Sequence, residues 1–199
     1  LRDICGKPLI QRVYECACDS SAESITVATD DPGILRVAES FGANVCLTSA
    51  EHNSGTDRVA EAAEILKLDD HRIVVNLQGD EPELDPNVID ATVAVLADSV
   101  MATAACTLQG DEVSNENVVK VQVADGYSVD FTRDTQNEGA LRHIGLYVYK
   151  PTFLQTYVEL QPTQNEIARK LEQMRAIDNG FKKNGEPNLI QMIIYAQLN

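Results

Sequence analysis

A run of polar residues at positions 78–82 (QGDEP) follows the most apolar strand-like segment of the chain, 72–77. It places the side-chain amide of Gln78, a glycine and the adjacent carboxylates of Asp80 and Glu81 directly after that segment. Open α/β sheets bind ligands beyond the carboxyl ends of their strands, so one carboxylate here is suited to hold a hard divalent cation together with water and phosphate oxygens. The same run is also compatible with a polar turn that Pro82 ends.

Two further segments place polar residues next to expected helix starts. Thr29 and Asp30 lie in residues 28–31 (ATDD), which a strand end followed by a helix cap explains without any ligand. Residues 54–58 (SGTDR) contain an S-x-x-D capping pattern. The amide groups of a helix start, together with Arg58, are suited to receive a phosphate or a carboxylate, although a plain capping box accounts for most of this pattern.

Other polar residues lack a spacing that assigns chemistry to them. His143 follows Arg142 in a strand-like segment, and a lone histidine is usually structural. Arg133 follows another strand, and the pair at 172–173 (EQ) is equally compatible with a solvated helix surface. The sequence contains no H-E-x-x-H, G-x-S-x-G or Walker-type G-x-x-x-x-G-K-[ST] motif, which argues against hydrolases and P-loop proteins.

The elements that must position these residues alternate between strands and helices, which predicts an α/β fold. We expect strands at 25–29, 44–47, 72–77, 102–108, 141–149 and 189–196, and helices at 8–19, 32–41, 54–66, 86–96, 151–158 and 165–177. Asp31 and Asp85 each precede a proline and are expected to cap helices. Asp-Gly at 125–126 predicts a hairpin of 118–123 with 127–131, so the sheet is expected to be mixed, mostly parallel, with helices on both faces.

The composition restricts the class of protein further. The 199 residues carry 16 Lys and Arg against 31 Asp and Glu, a net charge of −15, which argues against a protein that coats nucleic acid or an anionic membrane. Any anionic ligand must therefore be met by local cations. No apolar run approaches the roughly 20 residues needed to cross a bilayer. Five cysteines without a C-x-x-C pair indicate neither a disulfide framework nor a structural zinc site, and favour a cytoplasmic protein.

Five ordered blocks occur along the chain: GKPLI at 6–10, ATDD at 28–31, SGTDR at 54–58, NLQGDEP at 76–82 and RHIGLY at 142–147. In this order they resemble the 3-deoxy-manno-octulosonate cytidylyltransferase family. The resemblance extends from residue 1 to about residue 180, and the last two blocks are its most specific part. It implies a Rossmann-like fold of the nucleotide-diphospho-sugar transferase type.

The resemblance also implies a reaction and a set of residues. The family transfers a cytidylyl group from CTP to 3-deoxy-D-manno-octulosonate (Kdo), which releases pyrophosphate and gives CMP-Kdo for lipopolysaccharide biosynthesis. Asp80 matches the family's Mg²⁺ ligand and, with Arg58, is expected to act in catalysis. The expected substrate-binding residues are Gln78, Arg133, His143, Glu172 and Gln173, and the expected nucleotide-binding residues are Lys7, Thr29, Asp30, Ser54 and Gly55. Arg133 and His143 are expected to supply positive charge for the carboxylate of Kdo.

The sequence departs from the family's pattern at three places. It begins after most of an Arg-, Ser- and Gly-rich loop that wraps the triphosphate, its loop at 134–139 is short, and it contains no G-V-D-T-P-like segment with a second metal-binding aspartate. We therefore expect one domain, 1–199, that lacks the N-terminal strand and phosphate loop and the C-terminal segment. The family is typically homodimeric, and we expect the apolar region 141–160 to support a homodimer. Two alternatives remain, namely the same reaction on 8-amino-Kdo and a non-catalytic nucleotide-sugar-binding remnant.

Overall fold

The computed structural model describes residues 2–97, 99–135, 139–180, 182–183, 186–187 and 190–195. Its α-helices are α1 (Leu9–Cys18), α2 (Pro32–Ser40), α3 (Gly55–Ile65), α4 (Pro86–Leu96), α5 (Pro151–Glu159), α6 (Gln164–Arg169) and α7 (Met174–Asp178). Its strands are β1 (Asp3–Ile4), β2 (Lys7–Pro8), β3 (Thr26–Thr29), β4 (Asn44–Leu47), β5 (Val74–Leu77), β6 (Met101–Cys106), β7 (Lys120–Ala124), β8 (Tyr127–Thr132), β9 (Leu141–Tyr149), β10 (Lys182–Lys183), β11 (Glu186–Pro187) and β12 (Ile190–Tyr195). None of the helices described here is long and apolar enough to span a bilayer.

Six strands form the main sheet, in the order β5-β9-β6-β12-β8-β7. β9 runs antiparallel to β5 and β6, with Leu77 opposite Leu146 and Cys106 opposite Arg142. Parallel pairs join β6 to β12 and, in a separate two-stranded sheet, β3 to β4. The predicted mixed α/β fold is confirmed. Antiparallel pairs are more frequent than the sequence suggested, because β9 runs antiparallel to β6 and β8 runs antiparallel to β12.

Strand β6 shows that helices cover both faces of the sheet. All six of its residues are buried. Met101 and Ala105 belong to a core cluster with residues of α3, α5 and α7, whereas Ala104 and Cys106 pack with α4. Because successive side chains of a strand point to opposite faces, these two clusters lie on opposite sides of the sheet.

Several local sequence signals are confirmed. The Asp31 carboxylate accepts hydrogen bonds from the first amides of α2, and Asp85 caps α4 in the same way. Ser54 accepts from the Asp57 amide at the start of α3. The β7–β8 hairpin turns at Asp125 and Gly126, whose φ angles of 52° and 82° match the positive φ values that such turns require. The predicted last strand is found at Ile190–Tyr195, and its expected ends, 189 and 196, lie outside the described residues.

The predicted helix at 165–177 is wrong as a single element. It is divided into α6 and α7 at Lys170, which adopts a left-handed φ of 54°. The expected apolar face is also divided, since Ile167 is 67% exposed whereas Leu171 and Met174 are buried. The 3.6-residue spacing therefore predicted helical structure correctly but could not show the turn that interrupts it. This turn leaves residues 171–173 outside both helices and lets Glu172 contact the start of α3.

Most apolar side chains of the region 141–160 are buried inside the fold, with Val158 an exception at 39% exposure, so the composition of this region gives little support to the homodimer expected from it. Strand β9 lies between β5 and β6 in the sheet. Tyr147, Tyr149, Phe153 and Tyr157 form a row of aromatic rings with successive centroids 6.1, 6.1 and 5.9 Å apart. Each of these side chains is at most 5% exposed. Their burial in the core explains the apolar character of this region.

Candidate functional site

A cavity of about 740 Å³ lies where the loop after β5, the start of α3, strand β9 and the α6–α7 turn meet. Its size is typical of small-molecule sites, which occupy about 300–1,000 Å³. Eight of the residues predicted to bind substrate, nucleotide or metal line it, namely Ser54, Gly55, Gln78, Asp80, Arg133, His143, Glu172 and Gln173. The fold therefore brings together positions that are up to 119 residues apart in the chain, from Ser54 to Gln173.

Gln78 is fixed in the cavity wall by a close contact with Gly145 of β9. The backbone amide of Gln78 donates a hydrogen bond to the Gly145 carbonyl over 2.9 Å, and the backbone amide of Gly145 donates to Glu81 Oε1 over 3.1 Å. A Cβ atom at position 145 would lie only 3.0 Å from Gln78 Cγ and 3.2 Å from Glu81 Oε1. A glycine is therefore needed here for the Gln78 side chain to keep its place.

Asp80 and Glu81 are adjacent but differ in their contacts. Glu81 is half-buried and accepts the Gly145 amide, as described above. Asp80 is exposed and makes no hydrogen bond or ion pair with another residue of the described chain. A solvent-facing carboxylate of this kind suits Mg²⁺, which is usually held by one or two carboxylates with water and substrate phosphates as its other ligands. No group of three or more His, Cys, Asp and Glu side chains within the described residues is arranged as a complete metal cage.

The start of α3 is already in contact with a carboxylate from the same chain. Glu172 Oε2 accepts a hydrogen bond from the Thr56 amide over 3.2 Å, and Ser54 accepts from Asp57. Glu172 itself therefore occupies the Thr56 amide, and the expectation that this helix start receives a ligand anion stays a prediction. A Cβ atom at Gly55 would lie 3.3 Å from Gln78 Nε2 and 3.7 Å from Glu172 Oε1, so this glycine lets both side chains approach the helix start.

His143 is neutral at pH 7, and the expectation that it supplies a positive charge is wrong. Its side chain is buried, it shares a hydrogen bond of 2.9 Å with Thr103 Oγ1, and its ring packs edge-on against Phe131. Burial lowers the pKa of His143 to about 3, because the surrounding side chains cannot solvate an imidazolium. Sequence reasoning missed this effect because it depends on neighbours from other strands.

Positive charge on the cavity wall comes instead from arginines and from the exposed Lys170. Arg133 is exposed and donates to the Asn117 carbonyl over 2.8 Å, which leaves its charge without a carboxylate partner among the described residues. Arg142 lies 3.3 Å from Glu112, and this ion pair partly neutralises it. Arg133 is therefore the better placed of the two to meet an anionic ligand.

Four predicted residues lie away from this cavity. Lys7 forms an ion pair with Glu15 at 2.7 Å, and Thr29 is buried at the end of β3. Asp30 pairs with Arg58 at 2.9 Å. Arg58 also donates to Thr48 and to the Ser49 carbonyl, and it lines a second cavity of about 340 Å³ that Gly55 and Gln78 share. The roles predicted for these four residues remain predictions.

Two buried residues on the cavity wall, Glu166 and Arg175, were missed by sequence analysis. They form an ion pair beneath the α6–α7 turn, with Arg175 Nε 2.8 Å from Glu166 Oε2. The capping box formed by Thr163 and Glu166 was a signal in the sequence, since the T-x-x-E pattern predicts a helix start at this point. The pairing of Glu166 with Arg175 had no comparable signal.

Comparisons with known proteins concern the chain as a whole. Residues 1–184 match the family described as cytidylyltransferase. A 3-deoxy-manno-octulosonate cytidylyltransferase of Aliivibrio fischeri is 44% identical over 200 residues, which cover 92% of this chain and 80% of that protein. A protein of the same name from Haemophilus influenzae is 42% identical over 202 residues, which cover 90% of this chain and 80% of that protein.

Solved structures are similar over nearly the whole chain. The structure described as CMP:2-keto-3-deoxy-manno-octonic acid synthetase complexed with CTP has a TM-score of 0.86 at 32% identity, and the match covers 98% of this chain and 82% of that one. A 4-diphosphocytidyl-2C-methyl-D-erythritol synthase from Anaerococcus prevotii has a TM-score of 0.58 at 13% identity, over 96% of this chain and 81% of that one. The second similarity concerns the fold alone.

Proposed function

We propose that this chain, which belongs to the cytidylyltransferase family, transfers the cytidylyl group of CTP to Kdo and releases pyrophosphate, so that CMP-Kdo is available for lipopolysaccharide biosynthesis. The observation that carries the proposal is the 44% identity to a 3-deoxy-manno-octulosonate cytidylyltransferase over 92% of the chain. The cavity supports it, because eight of the twelve residues expected from the family line a single space of suitable size.

The proposed division of the cavity follows from which elements supply its walls. Ser54 and Gly55, at the start of α3, are assigned to the nucleotide, and Gln78 lies between them and β9. Glu172 and Gln173, on the α6–α7 turn, are assigned to the sugar. Polar groups from separate elements can in this way fix both substrates relative to each other, which is the main requirement for group transfer.

Arg133 and His143 have different proposed roles towards the sugar. Arg133 is exposed and positively charged, so we assign it to the carboxylate of Kdo. His143 is neutral and buried, so we assign it to the shape and hydrogen bonding of the sugar pocket and not to charge neutralisation. Arg58 lies away from this cavity and lines the second one, where it binds Asp30 and Thr48 beside the start of α3.

Asp80 is the proposed ligand of Mg²⁺, since its carboxylate is exposed at the cavity wall. A bound Mg²⁺ would neutralise phosphate charge and help to orient the triphosphate. Asp80 would hold the Mg²⁺ ion close to Gln78, while Glu81 stays bound to the Gly145 amide and keeps the loop in place.

We also propose that the protein acts in the cytoplasm as a homodimer. All five cysteines are free thiols, as is usual in a reducing compartment. The homodimer is inferred from the family, since most of the apolar side chains of β9 and α5 are buried in the core. Analytical ultracentrifugation of the purified protein would decide between a monomer and a dimer.

Pyrophosphate release tests the proposed reaction directly. We expect release from CTP only when Kdo and Mg²⁺ are both present, and formation of CMP-Kdo in equal amount by mass spectrometry. Omission of each component in turn provides the controls. The reaction with 8-amino-Kdo in place of Kdo identifies the preferred sugar, and protein that releases no pyrophosphate with either sugar would refute the proposal.

A further inference from the structure

We propose that Arg175 is a positioning residue that holds the Glu172 carboxylate in the sugar half of the cavity. This inference rests on the proposed function, because Glu172 is assigned to Kdo there. Arg175 is expected to act through Glu172 and through the turn that carries it, and not by binding the sugar itself.

Arg175 is held in one orientation by three groups. Its Nε and Nη2 atoms donate to the two carboxylate oxygens of Glu166 over 2.8 and 2.5 Å. Its guanidinium carbon lies 4.7 Å from the centre of the Tyr157 ring, and Nη1 lies 3.7 Å from Asp57 Oδ1. Arg175 is 5% exposed and Glu166 is 8% exposed, so the pair is almost completely removed from solvent.

The same residues hold the backbone of the turn next to the cavity. The Tyr157 hydroxyl donates to the Glu172 carbonyl over 2.7 Å, and the Arg175 amide donates to that carbonyl over 3.0 Å. The Leu171 amide donates to the Glu166 carbonyl over 3.2 Å. Both ends of the segment 171–175 are therefore tied to the residues that surround the guanidinium.

This arrangement fixes where the Glu172 side chain lies. With its carbonyl held from one side, Glu172 extends across to α3, and its carboxylate accepts the Thr56 amide over 3.2 Å. A Cβ atom at Gly55 would be 3.7 Å from Glu172 Oε1, which places the carboxylate beside the start of α3. A shift of the turn would move this carboxylate along the cavity wall.

A buried ion pair is poor evidence of stabilisation, because the loss of hydration cancels most of the attraction between the charges. A pair of this kind can instead favour a single conformation. Here the forked guanidinium matches the Glu166 carboxylate with two hydrogen bonds, a geometry that lysine cannot reproduce. The pair lines the same cavity as Glu172, and Arg175 packs on the Tyr157 ring whose hydroxyl binds the Glu172 carbonyl, so the pair is placed to hold that residue.

The test is a double-mutant cycle of Arg175→Lys and Glu172→Gln, read as the separate KM values for Kdo and CTP. We expect Arg175→Lys to raise the KM for Kdo roughly tenfold, because one carboxylate is displaced, and to change the KM for CTP by less than about twofold. In the Glu172→Gln background, Arg175→Lys should cause no further rise. Glu166→Gln, which breaks the same pair but keeps the shape of the side chain, should reproduce the effect.

Arg169→Lys is the matched control. Arg169 belongs to the same short helix as Glu166 and pairs with Asp130, but it does not line the cavity. Its substitution should leave the KM for Kdo unchanged, and thermal unfolding should show that all variants are folded.

The outcomes separate this inference from the proposed function. Normal turnover of the unmodified protein, with Arg175→Lys and Glu166→Gln both matching Arg169→Lys, would overturn the inference alone. The inference would also be overturned if Arg175→Lys raised the KM for Kdo by the same factor in the unmodified protein and in the Glu172→Gln variant, since Arg175 would then act directly on the sugar. Protein that neither releases pyrophosphate nor binds Kdo in calorimetry would overturn the proposed function and this inference with it.

Discussion

Gly145→Ala should lower turnover by displacing the Gln78 side chain. The new methyl group would lie 3.0 Å from Gln78 Cγ and 3.2 Å from Gln78 Cβ and Glu81 Oε1. Carbon atoms in contact normally lie about 3.5–4.0 Å apart, so the overlap amounts to roughly 0.5–1 Å. The hydrogen bonds that join Gly145 to Gln78 and Glu81 prevent the two backbone segments from separating, and the side chain must therefore move.

The expected magnitudes follow from this overlap. A misplacement of about 1 Å can cost about 100-fold in rate, so a shift of roughly half that distance should lower kcat/KM by about tenfold. Overpacking of this size should also lower the free energy of unfolding by about 1 kcal/mol. Backbone strain does not contribute, because position 145 does not adopt a positive φ.

The assay compares Gly145→Ala with Gly79→Ala. A Cβ atom at Gly79 would lie 3.5 Å from Ile10 Cδ1, which is an ordinary contact, and Gly79 has no positive φ. Pyrophosphate release at varied Kdo and CTP gives kcat/KM, and urea denaturation gives the free energy of unfolding. Gly145→Ala with the kcat/KM of the unmodified protein would refute the reasoning, as would an equal loss in Gly79→Ala.

Two other residues allow simple predictions. Asp80→Asn should abolish turnover at saturating Mg²⁺ while circular dichroism stays unchanged, and an active variant would remove Asp80 from its proposed role. His143→Ala should raise the KM for Kdo more than the KM for CTP, and equal changes would contradict the assignment of His143 to the sugar pocket. Burial lowers the pKa of His143 to about 3, so below pH 6.5 the unfolded chain binds a proton that the folded protein does not. The free energy of unfolding should therefore decrease as the pH is lowered from 6.5 towards 3. This contribution is at most about 1.4 kcal/mol per pH unit, and His143→Gln should reduce the difference between urea unfolding at pH 7 and at pH 5.

The sequence by itself determined the local structure and the chemical type of the site. Asp31 and Asp85 cap helices as predicted, and Asp125 with Gly126 forms the predicted hairpin turn. These features depend on contacts between residues two to four positions apart, which a sequence displays directly. The family resemblance added the roles of Gln78 and Asp80, because the order of motifs identifies a family even where spacing alone leaves alternatives open.

Only the tertiary structure decided which of these residues meet and what charge they carry. Glu172 binds the Thr56 amide, which is 116 positions away in the sequence. Arg58 forms an ion pair with Asp30 and does not line the main cavity. His143 is neutral because strands distant in sequence bury it. The break at Lys170 and the pairing of two buried charged residues likewise depend on packing between separate elements. Burial and pairing of this kind are properties of the folded chain, since no local pattern specifies which distant groups will surround a side chain.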